Sequence, residues 1–145
     1  MTKANDDLSL KLFVVLSRAH SAVMTEVEKD IRSYGLNPTE FAVIELLYHK
    51  GDQPLQKIGE KILISSGSIT YVVDKLEKKQ LLLRRPCPKD RRITYATLTD
   101  EGKLWMDERF HVHKERIAHI LSGLNTDETE EAIQLLKKLG LHASS

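Results

Sequence analysis

The amino-acid sequence predicts a mainly α-helical fold that contains one short two-stranded β-hairpin. Apolar residues recur at steps of three and four along much of the 145-residue chain, which is the spacing of one helix face. Asn37 with Glu40 and Asn125 with Glu128 form capping-box patterns, each of which marks the start of a helix. Residues 93–98, ITYATL, are instead rich in β-branched and aromatic side chains and indicate a strand.

Composition favours a single globular domain. With 41% apolar residues the chain is able to bury a core, and no stretch approaches the roughly 20 apolar residues of a membrane helix. The opening, MTKANDDLSLK, has no apolar signal-peptide core, and a single cysteine suits a reducing compartment. We therefore expect a cytoplasmic protein.

Two helices are predicted in the first third of the chain. The first runs from Leu8 to about Arg32 with an apolar stripe and is stopped by SYGLNP, residues 33–38. Asn37 caps the second helix, which begins on a proline and ends near Gly51. A short third helix, marked by Leu55, Ile58, Ile62 and Leu63, follows.

A fourth helix and the hairpin occupy the middle of the chain. Ser65 or Ser66 caps the helix, and its buried face is predicted to consist of Ile69, Val72, Val73 and Leu76. LLLRRPC and ITYATL are the two strands, and CPKDRR is the loop between them. Thr99 then caps a helix that reaches about Leu121, and a last helix spans about Thr126 to Leu139.

Positive charge is concentrated in the middle of the chain. Residues 50–100 hold 11 Lys and Arg against 6 Asp and Glu, whereas the remaining residues hold 11 against 15. This distribution indicates a surface that faces a polyanion. On charge alone, an ordinary solvated face explains it equally well.

The third and fourth helices form a helix-turn-helix pattern, in which the second helix enters the DNA major groove. The face opposite its apolar stripe carries Ser66, Ser68, Thr70, Tyr71, Asp74 and Lys75. The predicted DNA contacts of this region are Ser65, Ser66, Ser68, Thr70, Tyr71 and Lys75. A basic hairpin that follows such a pair is the wing of a winged helix. Arg91 and Arg92 on this wing suit the negative potential of a narrow minor groove, and Asp90 is able to hold a neighbouring guanidinium. Arg84, Arg85 and Lys89 are expected near phosphates.

The chain resembles the MarR family of transcriptional regulators over essentially its whole length. The stretch DRRITYATLTDEG is similar to the family's wing pattern, at Asp90, Arg91, Arg92, Leu98, Thr99 and Gly102. SSGSITYVVDKLEKKQLL resembles its recognition helix, and GLNPTEFAVIELL resembles its second helix. The resemblance implies a homodimer on a pseudo-palindromic operator of double-stranded DNA. It further implies a repressor that a small aromatic, phenolic or electrophilic effector releases from its operator.

The expected architecture is thus a winged helix-turn-helix domain with a two-stranded β-wing, flanked by N- and C-terminal dimerisation helices. One domain spans residues 1–145, with the DNA-binding lobe at about 37–99 and the dimerisation helices at about 8–33 and 100–141. The dimer interface is predicted to include Leu12, Leu16, Trp105, Phe110, Ile117, Ile120, Leu121, Ile133 and Leu136. The alternative is that both ends pack within one subunit.

Other functions are also open at this stage. The winged helix is able to serve as a protein-interaction module without sequence-specific DNA binding. Cys87, near Arg84, Arg85 and Lys89, is a candidate redox-sensing thiol, although an incidental cysteine explains it better. We expect no cofactor, no metal site and no enzymatic activity, since the motifs of common enzyme classes are absent from the sequence.

Overall fold

A computed structural model describes residues 3–62 and 66–145 and confirms the mainly α-helical fold. The order of helices is the one predicted, and α1 begins five residues earlier than expected. The elements are α1 Lys3–Ser33, α2 Pro38–Lys50, β1 Gln53–Pro54, α3 Leu55–Lys61, α4 Ser66–Lys78, β2 Leu82–Pro86, β3 Thr94–Leu98, α5 Asp100–Ile120 and α6 Thr126–Ala143.

The sheet has three antiparallel strands in the order β1-β3-β2, one more than the sequence predicted. β2 and β3 are the expected hairpin, with Leu82 opposite Leu98 and Pro86 opposite Thr94. The two-residue β1 pairs with the other edge of β3, where Gln53 lies opposite Ala96. Two residues are too few to show an alternating pattern, so β1 leaves no signal in the sequence.

The predicted caps are present. Asn37 Oδ1 accepts a hydrogen bond from the Glu40 backbone at 2.8 Å, and the Glu40 carboxylate accepts one from the Asn37 backbone at 3.0 Å. Asn125 and Glu128 repeat this box at the start of α6. Thr99 Oγ1 accepts from the Gly102 backbone at 2.9 Å and opens α5. The boundaries of these helices are therefore set by short-range hydrogen bonds.

The core lies between α2, α3, α4, the sheet and the first turns of α5. Its side chains are Ile31, Leu36, Phe41, Val43, Ile44, Leu47, Ile58, Ile69, Val72, Val73, Leu76, Leu81, Leu82, Ala96, Leu98 and Met106. The apolar stripe predicted for α4 is buried in full. α1 contributes Ile31 to this core, and α6 has no buried residue.

Gly102 lies where α5 meets the end of α4. A Cβ atom at this position would stand 2.1 Å from the Leu81 carbonyl oxygen. That oxygen also accepts a hydrogen bond from the Thr99 backbone at 3.1 Å, which fixes its position. Glycine is therefore required for α5 to start this close to the hairpin.

Large apolar side chains are exposed at both ends of the chain. They include Leu8, Leu12, Phe13 and Val15 on α1 and Ile133, Leu135, Leu136 and Leu141 on α6. Contiguous exposed apolar patches are typical of interaction surfaces. Along the described residues, no helix combines the length and apolarity needed to cross a bilayer.

Candidate nucleic-acid interface

The exposed face of α4 carries the side chains that the sequence assigned to base contacts. Ser68, Thr70, Tyr71 and Lys75 are all exposed, opposite the buried stripe. Lys75 Nζ lies 4.8 Å from the centre of the Tyr71 ring, a cation–π contact along one side of the helix. Ser65 lies outside the described residues, and Ser66 begins α4.

The wing tip is a tight turn that presents positive charge. The Cys87 backbone donates to the Ile93 carbonyl at 3.0 Å, and the Ile93 backbone donates to the Asp90 carbonyl at 3.0 Å. These two bonds close the loop between β2 and β3. Lys89, Arg91 and Arg92 are exposed around it, whereas Cys87 is half-buried.

Asp90 holds the guanidinium of Arg92 in a fixed pose, as its chemistry predicted. Arg92 Nε and Nη2 donate to the two carboxylate oxygens of Asp90, each at 3.0 Å, and the Arg92 backbone donates to Oδ1 at 3.0 Å. These bonds lower the pKa of Asp90 and raise that of Arg92. The Arg92 side chain remains 89% exposed, so it is ordered yet available to a partner.

Arg85 ties the wing to the end of α2. Its Nη2 lies 3.0 Å from Asp52 Oδ2, and its guanidinium lies 5.1 Å from the centre of the Tyr95 ring. Thr97 on β3 also donates to Asp52. The Thr97 hydroxyl and Arg85 together lower the pKa of Asp52. This carboxylate thereby joins β2, β3 and the segment that leads into β1.

Arg84 points to α4 and contacts two acidic side chains there. Its Nη1 donates to Glu77 at 2.8 Å, and its Nη2 donates to Asp74 and, at 3.3 Å, to the Thr70 carbonyl. The sequence placed this arginine near phosphates. The structure gives it carboxylate partners within the chain, and contact with DNA stays a prediction.

The residues predicted for the dimer interface fall into two groups. Leu12, Leu16, Leu121, Ile133 and Leu136 are exposed in the single chain. Trp105, Phe110, Ile117 and Ile120 are half-buried. Trp105 packs edge-on against Tyr34 and Phe41, and Phe110 packs against Tyr48, so these two rings already have partners within the chain.

A buried polar cluster at the junction of α1, α2 and α5 was missed by sequence reasoning. His113 Nδ1 lies 3.1 Å from Asp30 Oδ2, which also accepts from the Tyr34 hydroxyl at 2.7 Å. The His113 ring lies 4.6 Å from that of Phe41, and its Nε2 is 3.8 Å from Glu45. Burial, with the bond to Asp30, raises the pKa of Tyr34.

This cluster fastens the flanking helices to the winged lobe. Asp30 and His113 stand 83 residues apart in sequence, so no local pattern could have paired them. Among the described residues, no three His, Cys, Asp or Glu side chains are arranged to hold a metal ion.

Comparison with known proteins agrees with this geometry. A model of the MarR family matches residues 36–94. The HTH-type transcriptional regulator MhqR of Bacillus subtilis (strain 168) is 55% identical over 135 residues, 93% of this chain and 93% of that protein. The HTH-type transcriptional repressor MdtR of the same bacterium is 27% identical over 143 residues, 99% of this chain and 92% of that protein.

A solved structure shows the same fold. Sco5413, a MarR family transcriptional regulator from Streptomyces coelicolor, superposes with a TM-score of 0.79 at 27% identity and covers 94% of this chain and 95% of its own. These relatives regulate transcription and are not enzymes, which confirms the expectation from the sequence. The match to MhqR covers 93% of this chain, so it extends well beyond residues 36–94. The chain therefore belongs to the MarR family of transcriptional regulators.

Proposed function

We propose that this protein is a homodimeric repressor that binds a pseudo-palindromic DNA operator through α4 and the wing. The observation that carries the proposal is the pairing of Arg92 with Asp90 at the exposed wing tip. A guanidinium that is held in place loses less conformational freedom when it enters a narrow minor groove. The exposed face of α4 supplies the small polar side chains suited to base edges in the major groove.

Dimerisation is proposed from the apolar surface at the chain ends. Leu12 and Leu16 on α1, with Ile133 and Leu136 on α6, are each at least 37% exposed, and a second copy is the partner we infer for them. Two-fold symmetry would present both recognition helices to successive major grooves, roughly 34–36 Å apart. Such a protein acts where the genome lies, in the cytoplasm.

We also propose that the protein represses transcription and that a small effector releases it from DNA. The relative MdtR is described as a repressor, which supports the same action here. A cavity of about 260 Å³ lies where α2 and β3 meet α5, lined by Leu47, Tyr48, Gly51, Asp52, Leu98, Lys103 and Asp107. We propose that a small aromatic or phenolic molecule binds there, with its ring against Tyr48. Wedged there, it would change the angle between the lobe and the flanking helices.

The test uses duplexes enriched by the protein itself from a random DNA pool. Arg92→Ala should weaken binding to the enriched duplex by about tenfold or more, the usual effect of losing one specific arginine contact. Lys29→Ala is the matched control, because it removes an exposed cation from α1, outside the winged lobe. Sedimentation should show both variants assembled like the parent.

Two results would contradict the proposal. If Arg92→Ala binds as tightly as the parent, the wing does not contact DNA in the proposed way. If the parent enriches no sequence and its affinity for duplex DNA does not fall steeply with salt, the winged helix is a protein-interaction module instead.

A further inference from the structure

The contacts of Arg84 connect the recognition helix α4 to the strand β2. Glu77 accepts from the Arg84 side chain at 2.8 Å and from the Arg84 backbone at 3.1 Å. β2 is an edge strand of the sheet. The backbone N–H of Arg84 on this strand donates to the Glu77 side chain of α4. One carboxylate thus secures both the strand and its arginine.

A second carboxylate, that of Asp74, fixes the geometry of this connection. Asp74 and Glu77 are three residues apart and therefore share one side of α4. The planar guanidinium of Arg84 bridges them and also reaches the Thr70 carbonyl. Because a guanidinium donates in fixed directions, this bridge restrains both the rotation of α4 and its slide along β2.

Burial and charge argue against a second role for this side chain as a phosphate contact. The Arg84 side chain is 27% exposed, compared with 89% for Arg92 at the wing tip. Two carboxylates surround its single positive charge, so the cluster is net negative. A phosphate would have to compete with both carboxylates for this guanidinium.

On the basis of the proposed function, we propose that Arg84 is a positioning residue: its bridge to Asp74 and Glu77 sets the angle between recognition helix and wing and thereby the DNA-sequence discrimination. The quantity it controls is the ratio of affinities for the enriched duplex and for an unrelated duplex of equal length. Non-specific attraction to phosphates does not depend on that angle.

The experiment compares Arg84→Ala, Arg84→Lys and the double variant Asp74→Asn/Glu77→Gln at one salt concentration. Each should lower the affinity ratio by roughly tenfold, as expected for losing a charge-assisted hydrogen-bonded pair. Lysine keeps the charge but lacks the planar fork, so it should not restore the ratio. Combining Arg84→Ala with the double variant should add little, because the three side chains act as one unit.

A direct phosphate contact predicts the opposite pattern. Arg84→Lys would then bind almost like the parent. Arg84→Ala would reduce the slope of log affinity against log salt concentration by about one. Either of these two results overturns the positioning role.

The two proposals fail in different ways. The parent is measured first: if it does not prefer its enriched duplex, the proposed function itself is wrong. If the parent discriminates and the double variant discriminates equally well, only the role of Arg84 is wrong. Circular dichroism and thermal unfolding confirm that each variant is folded at the temperature of the binding assay, and the double variant retains Arg84 if the alanine variant unfolds.

Discussion

Gly102→Ala is the substitution whose effect the structure predicts most directly. The new methyl carbon would stand 2.1 Å from the Leu81 carbonyl oxygen, where contacts between such atoms are normally well above 3 Å. The oxygen cannot withdraw without weakening its hydrogen bond from the Thr99 backbone. Either the first turn of α5 or the chain at Leu81 has to move.

Three effects set the size of the change. Forcing a methyl group into a packed site costs about 1–3 kcal/mol, and a weakened hydrogen bond costs about 1 kcal/mol. Replacing glycine by alanine in a helix returns about 1 kcal/mol. The free energy of unfolding should therefore fall by about 2 kcal/mol, which corresponds to roughly 6 °C in the midpoint of thermal unfolding for a chain of this size.

Urea unfolding at fixed protein concentration measures this change. Gly67→Ala is the matched control: Gly67 also lies in a first helical turn, and a Cβ there would meet nothing within 4 Å. It should leave stability unchanged or slightly higher. If Gly102→Ala unfolds at the same urea concentration as Gly67→Ala, with the same denaturant dependence, the close approach of α5 to Leu81 is not a constraint.

Three further predictions concern stability and assembly. Gln80 has a φ of 64°, a left-handed conformation that glycine adopts at lower cost. Gln80→Gly should therefore raise the free energy of unfolding by about 0.5–1 kcal/mol. A lower urea midpoint would contradict this. The pKa of Asp52 lies below 3.8 because Thr97 and Arg85 donate to it; its charge stabilises the fold above that pH, and this contribution disappears as the pH falls through the lower folded pKa. Asp52→Asn should thus lower the urea midpoint at about pH 6, and its difference from the parent should shrink as the pH falls below 3.8. A difference that does not change with pH would refute the assignment. Leu12→Glu and Leu136→Glu should each dissociate the proposed dimer in sedimentation, whereas the exposed control Lys29→Ala should not. Dimers that persist in both leucine variants would exclude this face.

Local signals made much of the fold predictable. Local patterns mark three helix starts: the capping boxes at Asn37 and Asn125 and the N-cap at Thr99. Each uses residues three positions apart, so it is visible in the sequence. Asp90 and Arg92 are two residues apart and belong to one turn, and their pairing was foreseeable for the same reason.

Contacts between distant segments were not predictable in this way. Asp52 meets Thr97 across 45 residues, and Asp30 meets His113 across 83. The partners of Arg84 lie closer in sequence, but the choice between a carboxylate and a phosphate depends on how β2 packs against α4. The sequence revealed a basic surface, and the structure was needed to separate the cations already paired from those left exposed.

The lack of any buried residue in α6 has a consequence for folding itself. In proteins, most of the stability of a helix comes from the packing of its apolar face against another surface. If the proposed dimer buries Ile133 and Leu136, the 18-residue α6 should gain much of its order from association. Dilution should fray it before the winged lobe opens, so that the amount of folded helix depends on how many molecules share the solution.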